Sequence, residues 1–135
     1  MPTAAAEDLT FVQSRLADYV AYDDEDARHA SDARVRAYLG VALAAARDRM
    51  DGAMPAVARE ALERTILRCA FGNQTFVRHL DHADLPAGAV AALIASDRRL
   101  VQYAERAREV ASSGVPSLVD DVDREFVERL ALAAG

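Results

Sequence analysis

The densest chemistry in this 135-residue chain is the run His79-Leu80-Asp81-His82-Ala83-Asp84. Two imidazoles three positions apart share one face of a helix. With the carboxylate of Asp81 they offer the nitrogen and oxygen donors that zinc and similar ions take. His79, His82 and Asp81 are therefore the metal candidates. No Cys and no third His lies close to them in sequence. The competing reading is a polar helix end, where a protonated His sits beside the negative pole of the helix dipole. His29 stands apart, next to the acidic run Asp23-Asp24-Glu25-Asp26, and reads as a surface residue.

A second set of charged residues occurs twice. Arg59-Glu60 with Glu63-Arg64 recurs as Arg124-Glu125 with Glu128-Arg129, and Asp32 with Arg34 recurs as Asp97 with Arg99. Antiparallel helices joined by a short turn bring the start of one near the end of the next. Asp32 is thus expected to meet Arg64, and Asp97 to meet Arg129. With Glu63 and Glu128 beside them, these read as structural ion pairs that fix helix register. The chemical alternative gathers Glu60, Glu63, Glu125 and Glu128 around a cation or ligand. Carboxylate metal bundles usually add a His three residues from the Glu; here Arg flanks each pair, and its charge opposes a cation.

Covalent catalysis finds no footing. The serines Ser14, Ser31, Ser96, Ser112, Ser113 and Ser117 lie in no Gly-x-Ser-x-Gly setting. The turn from Gly72 to Gln74 lacks the Gly and Lys pattern that cradles phosphate. The one cysteine, Cys69, excludes an internal disulfide and fits a reducing compartment. It sits in Ile66-Leu67-Arg68-Cys69-Ala70-Phe71, which reads as buried helix, where a thiol is inert filler. No residue set names a reaction, and no cofactor is expected.

These residues must be positioned by helices. Apolar residues recur at three and four, and nothing reads as strand. The first helix is expected over about Ala5 to Tyr22, with Leu9, Val12, Leu16, Tyr19 and Val20 on one side. A long second helix runs from about Asp24 to Met50, and a third follows Pro55 to about Phe71 with Val57, Leu62, Thr65 and Ile66 inward. Gly72-Asn73 marks a seam. Beyond it come a short helix over about Gln74 to Asp81, a long one from about Ala87 to Ser112, and a last one from about Ser117 to Ala134. The last is expected to turn Val119, Val122, Phe126, Val127 and Leu130 inward.

The two halves match at an offset of about 65 positions. Thr10-Phe11-Val12 returns as Thr75-Phe76-Val77, Ala30-Ser31-Asp32 as Ala95-Ser96-Asp97, and Tyr38 as Tyr103. The expected architecture is all-α: a six-helix bundle of two tandem three-helix repeats with pseudo-twofold symmetry, in a single domain over 1–135 (repeat one about 5–70, repeat two about 71–135). One such unit buries too little surface to stand alone, so each half covers the other. A two-unit stacked solenoid is the competing layout. Tyr38 and Tyr103 are candidates for a paired aromatic site or for core anchors.

The net charge of -6 and pI near 5.0 disfavour nucleic acid, which demands a concentrated positive surface. No run of about eighteen apolar residues suggests a membrane span, and no basic, apolar leader opens the chain. A cytoplasmic location is the expectation. With no chemistry in view, the expected role is a helical protein-interaction or regulatory module, with a protein partner or a homodimer. The alternative is a non-catalytic bundle that binds a small ligand or metal.

Overall fold

Asp24 shows how local chemistry sets the elements. Its backbone is extended and its carboxylate accepts from the Ala27 N–H at 2.8 Å, while Glu25 and Asp26 follow at the positive end of the dipole. Thr3 and Asn73 cap their helices in the same way, accepting from Ala6 N and Phe76 N. The computed structural model describes residues 3–81 and 85–134, and among them the chain is all-helical with no strand. The order is α1 (Ala4–Arg15), α2 (Glu25–Arg49), α3 (Ala56–Phe71), α4 (Gln74–Leu80), α5 (Ala89–Glu109), a 3-10 turn at Ser112–Gly114, and α6 (Val115–Ala134). No helix among the described residues is long and apolar enough to cross a membrane.

α2 and α5 lie against each other at the centre. α1 covers α5, α3 bridges α2 and α6, α4 rests on α6 and touches α2, and α6 packs on α5. Val35, Leu39 and Leu43 meet Leu93, Leu100 and Val101 in the shared core, which α6 completes with Leu118 and Val122. Small residues let the axes approach. A Cβ added to Gly40 would lie 3.1 Å from Cys69 Cβ, so α2 and α3 are in close contact there.

The first helix stops well short of Tyr22. It ends at Arg15, and the chain then runs as an irregular segment to Asp24, with Ala21 in the left-handed region at φ 58°. That bend turns Tyr19 and Tyr22 inward and leaves Val20 half-exposed. No Gly or Pro announces it; it is held by side chains, since the Ser31 hydroxyl donates to Ala21 O at 2.7 Å and Gln13 Nε2 donates to Tyr19 O at 3.2 Å. The last helix begins at Val115 because Pro116 falls in its first turn, where the missing N–H costs nothing.

Matching positions of the two halves meet unequal fates. On α2 and α5 they agree: Arg28 and Leu93, Ser31 and Ser96, Asp32 and Asp97, Val35 and Leu100, Leu39 and Ala104 are all buried. On α3 and α6 they disagree. α6 buries Val122, Glu125 and Arg129, whereas their counterparts Val57, Glu60 and Arg64 face solvent and α3 buries Ala58, Leu62, Thr65 and Cys69 instead. A step of one residue is about 100° of helix rotation. α3 is thus turned by about that angle relative to the α6 pattern, so Val57, expected inward, is 79% exposed. Val127, also expected inward, is 69% exposed.

Candidate functional site

The matched Ser-Asp pairs of α2 and α5 put two carboxylates in the centre of the bundle, and one cation serves both. Arg129 from α6 donates through Nη1 to Asp97 Oδ1 at 2.5 Å and through Nη2 to Asp32 Oδ1 at 3.0 Å. Its Nη1 also reaches Ser96 Oγ at 3.1 Å. All three charged side chains are almost completely buried. Buried ions persist only when their remaining hydrogen-bonding capacity is met. It is met here: among the described residues no buried side-chain nitrogen or oxygen lacks a partner.

The two carboxylates are completed differently. Asp97 Oδ2 accepts from the Tyr19 hydroxyl at 2.5 Å and from the Tyr22 hydroxyl as well. Burial pushes the Asp97 carboxyl above its ordinary value, against Arg129 and the two phenols, which pull it down. Burial, reinforced by the Asp97 charge, raises both phenols well above their ordinary 10.0. Burial works against the charge of Arg129, but Asp97, Tyr22 and Asp32 outweigh it and hold the guanidinium charged. Asp32 Oδ2, by contrast, accepts from Arg36 Nε at 2.9 Å. Arg36 lies one turn on along α2 and donates through Nη1 to the carbonyl of Cys69, at the end of α3, at 2.8 Å. Beyond Ser96 the network runs outward to Glu125, which is buried and held bidentately by Arg99 at 2.6 and 3.0 Å.

A cavity of about 290 Å³ opens on the Asp32 side. Arg129 and Asp32 form its floor; Phe76, Phe126 and Leu130 supply apolar wall, and Arg36 and Arg68 stand at its polar edge. The Phe76 ring lies 5.0 Å from the Arg129 guanidinium carbon, a cation–π contact that covers the buried charge. Gly72 has φ 69°, and a Cβ there would sit 3.0 Å from Arg36 Cζ. Glycine therefore lets the turn after α3 lie flat against that guanidinium.

Of the expected ion pairs, Asp97 and Arg129 are in direct contact. Asp32 and Arg64 are not: Arg64 is on the exposed side of the rotated α3, and Asp32 takes Arg129 and Arg36 in its place. Glu63 is exposed, 3.6 Å from Arg59, and Glu128 is exposed on α6. Glu60, Glu63, Glu125 and Glu128 do not converge, since the only buried member is Glu125, already neutralised by Arg99.

The metal candidates divide. His79 is half-buried and engaged on α4, and His82 lies outside the described residues. Asp81 Oδ1 is 2.6 Å from His29 Nε2, and with Glu25 these groups place three ligand atoms within 4.8 Å of one another. Among the described residues, the set able to hold a metal thus joins Asp81 to Glu25 and His29 at the start of α2. Cys69 is buried, and burial pushes its thiol up to about 12, which suits filler rather than a nucleophile. Tyr38 lies half-buried under the Arg108 guanidinium at 5.0 Å; the ring pair among the described residues is Tyr19 with Tyr22.

Spacing places Tyr19 among the apolar residues of the first helix but gives no sign of its hydroxyl contact, and it does not single out Tyr22 or Arg36. Each sits on a break or a helix face that periodicity alone does not reveal. The usable signal was the doubled Ser-Asp, because a buried carboxylate requires donors and implies that Tyr and Arg must be found nearby. No family model, no curated protein and no solved structure matches this chain.

Proposed function

We propose that this protein is a non-catalytic helical bundle that binds a small ligand in the cavity between α3, α4 and α6, over Arg129 and Asp32. The observation that carries this reading is the combination of apolar wall with a few converging charged groups, the buried ones, Arg129 and Asp32, held by hydrogen bonds. Preorganised polar groups beside apolar surface favour binding, because little ordering is left to do when a ligand arrives. The same groups argue against catalysis. Each buried carboxylate accepts from an arginine, leaving no base poised to take a proton.

The test is a ligand-observed NMR screen of small acids, alcohols and amines, with competition and mapping onto backbone amides. Binders that perturb Asn73, Phe76 and Val127 support the reading. A screen in which no compound perturbs them sinks it.

A second reading, a protein-interaction module that self-associates, is favoured by α3. Val57, Leu67 and Phe71 are 79%, 55% and 72% exposed, and stand at helical spacings on one helix. Light scattering over a concentration series separates the two: a strict monomer removes this reading and leaves the cavity untouched. We also infer that the halves descend from one duplicated unit, supported by the residue matches and by the like burial of α2 and α5. The unlike burial of α3 and α6 then records divergence at the cavity wall.

A further inference from the structure

The charges around the cavity are not equivalent in what they have left to offer. Asp32 has both oxygens engaged, Oδ1 by Arg129 and Oδ2 by Arg36. Asp123 Oδ1 already accepts from Thr65 at 3.0 Å and lies 2.6 Å from Arg68 Nη1. The donors are less committed. Arg36 uses Nε and Nη1, while its Nη2 has no partner among the described residues. Arg68 is tied only through Nη1 and is half-exposed at the mouth. Asn73 spends its side-chain oxygen on the Phe76 N–H, which turns its amide NH2, a donor, to other uses. The polar edge of this cavity therefore presents N–H groups from Arg36, Arg68 and Asn73 against one open carboxylate oxygen, Asp123 Oδ2.

Resting on the ligand-binding reading above, we infer that the cavity takes a small monocarboxylate with an apolar body. Its carboxylate is received by Arg36 and Arg68, and its carbon chain or ring lies against Phe76, Phe126 and Leu130. Charge selects the anion and limits it. Three arginines and two aspartates line the cavity; Arg129 is spent on Asp32 and on Asp97 behind it, so the donors open to an anion are those of Arg36 and Arg68, enough for one carboxylate. The fork of a guanidinium matches a planar carboxylate. An amine meets less: both oxygens of Asp32 are taken, and Asp123, held by Thr65 and Arg68 through Oδ1, has only Oδ2 to give. Size agrees: about 290 Å³ is at the small end of the range for ligand pockets, roughly 300–1,000 Å³.

The experiment uses the whole chain and four probes of one chain length: hexanoate, 1-hexanol, hexylamine and hexyl phosphate. Titrations are followed by backbone amide shifts near Asn73, Phe76 and Val127. Hexanoate is expected to bind there about tenfold more tightly than 1-hexanol, as a charge-assisted contact to Arg requires, with hexylamine weakest and hexyl phosphate below hexanoate. Arg68→Gln, at an exposed position and with its helix content checked by far-UV circular dichroism, should weaken hexanoate severalfold while 1-hexanol binding changes little. Arg36→Gln should do the same more strongly, with far-UV circular dichroism confirming the helices. Equal binding of acid and alcohol, preference for the amine or the phosphate, or indifference to Arg68→Gln overturns the carboxylate assignment while the cavity remains a binding site. Absence of any shift at those amides with all four probes overturns the cavity reading itself.

Discussion

Asp32 and Asp97 stand at matching positions on the two central helices and share one guanidinium, but their surroundings have diverged. The Asp97 end is dry: two tyrosine hydroxyls from the segment before α2 seal it, and the carboxylate is fully buried. The Asp32 end is bounded by Arg36, which reaches across to the Cys69 carbonyl at the end of α3, and beyond it lies the cavity. One of the two matched Ser-Asp pairs thus fastens the bundle and the other faces an open cavity. The difference comes from what each helix's neighbours supply, since the Ser-Asp pair itself is the same on both sides. Tyr19 and Tyr22 reach Asp97 because α1 ends early; the corresponding stretch of the second half carries no tyrosine.

Arg129 is common to both ends, so its removal should have the largest effect. Arg129→Leu leaves two buried carboxylates without their shared cation. Loss of one partner of a buried ion pair costs roughly 3–5 kcal/mol, a large share of the roughly 5–15 kcal/mol that holds a domain together. Urea unfolding followed at 222 nm should show a midpoint near zero denaturant or an unfolded chain. An Arg129→Leu protein with near-native stability would mean that the two aspartates are not coupled through it.

The two ends are compared directly by Asp97→Asn and Asp32→Asn. In each case an amide NH2 replaces one acceptor oxygen and meets a donor head-on. At position 97 the amide faces either Arg129 or two enclosed phenols, whose oxygens can accept from it but whose protons then lose their acceptor away from water. At position 32 the clash falls on Arg36, which borders the cavity and can swing into it. Asp97→Asn should therefore cost about 3 kcal/mol, and Asp32→Asn about 1–2 kcal/mol. Equal losses would erase the distinction between a sealed end and an open one.

Alkaline pH probes the sealed end without changing a charge by mutation. Tyr19 and Tyr22 keep their protons in the fold at pH values where the unfolded chain has lost them, because burial raises both above 10.0. Cys69 behaves likewise, from an ordinary 9.0 to about 12. The stability these groups lend is complete below about pH 9 and is lost as pH rises, by about 1.4 kcal/mol per pH unit for each group that ionises only when unfolded. Midpoints from urea titrations at pH 7 to 11 should fall steeply above pH 9. Tyr19→Phe with Tyr22→Phe should lower the neutral value by about 1 kcal/mol for each lost hydroxyl and flatten the slope beyond pH 10. A wild-type midpoint that holds steady to pH 11 would show these phenols open to solvent.

The legible part of the fold was the part written in periodicity and punctuation. The cap at Asp24, the stop before Pro55 and the seam at Gly72-Asn73 are local chemistry, and the helices begin and end beside them. The Asp97–Arg129 contact was legible too, because antiparallel neighbours constrain which charges can meet. Three features were not. The early end of α1 is fixed by Ser31 and Gln13 reaching back to carbonyls, a tertiary effect with no Gly or Pro to mark it. The rotation of α3 turns Cys69 onto Gly40 of α2, and a one-residue register change is invisible to pattern matching when the exposed face is as apolar as Val57, Leu67 and Phe71. The cavity is the third, because its lining comes from α2, α3, the turn at Gly72-Asn73, α4 and α6 at once.

The smallest effect sharpens the comparison most. Arg64 corresponds to Arg129 in the repeated pattern, and by spacing alone both should matter equally. The exposed side of α3 carries Arg64 away from Asp32, so Arg64→Leu should change stability by no more than about 0.5 kcal/mol, as surface substitutions do. The same replacement at Arg129 is the most damaging one named above. Measured side by side in urea, the two variants divide sequence equivalence from structural equivalence. A loss at Arg64 approaching that at Arg129 would place Asp32 in the grip of α3 and close the cavity on which the ligand reading stands.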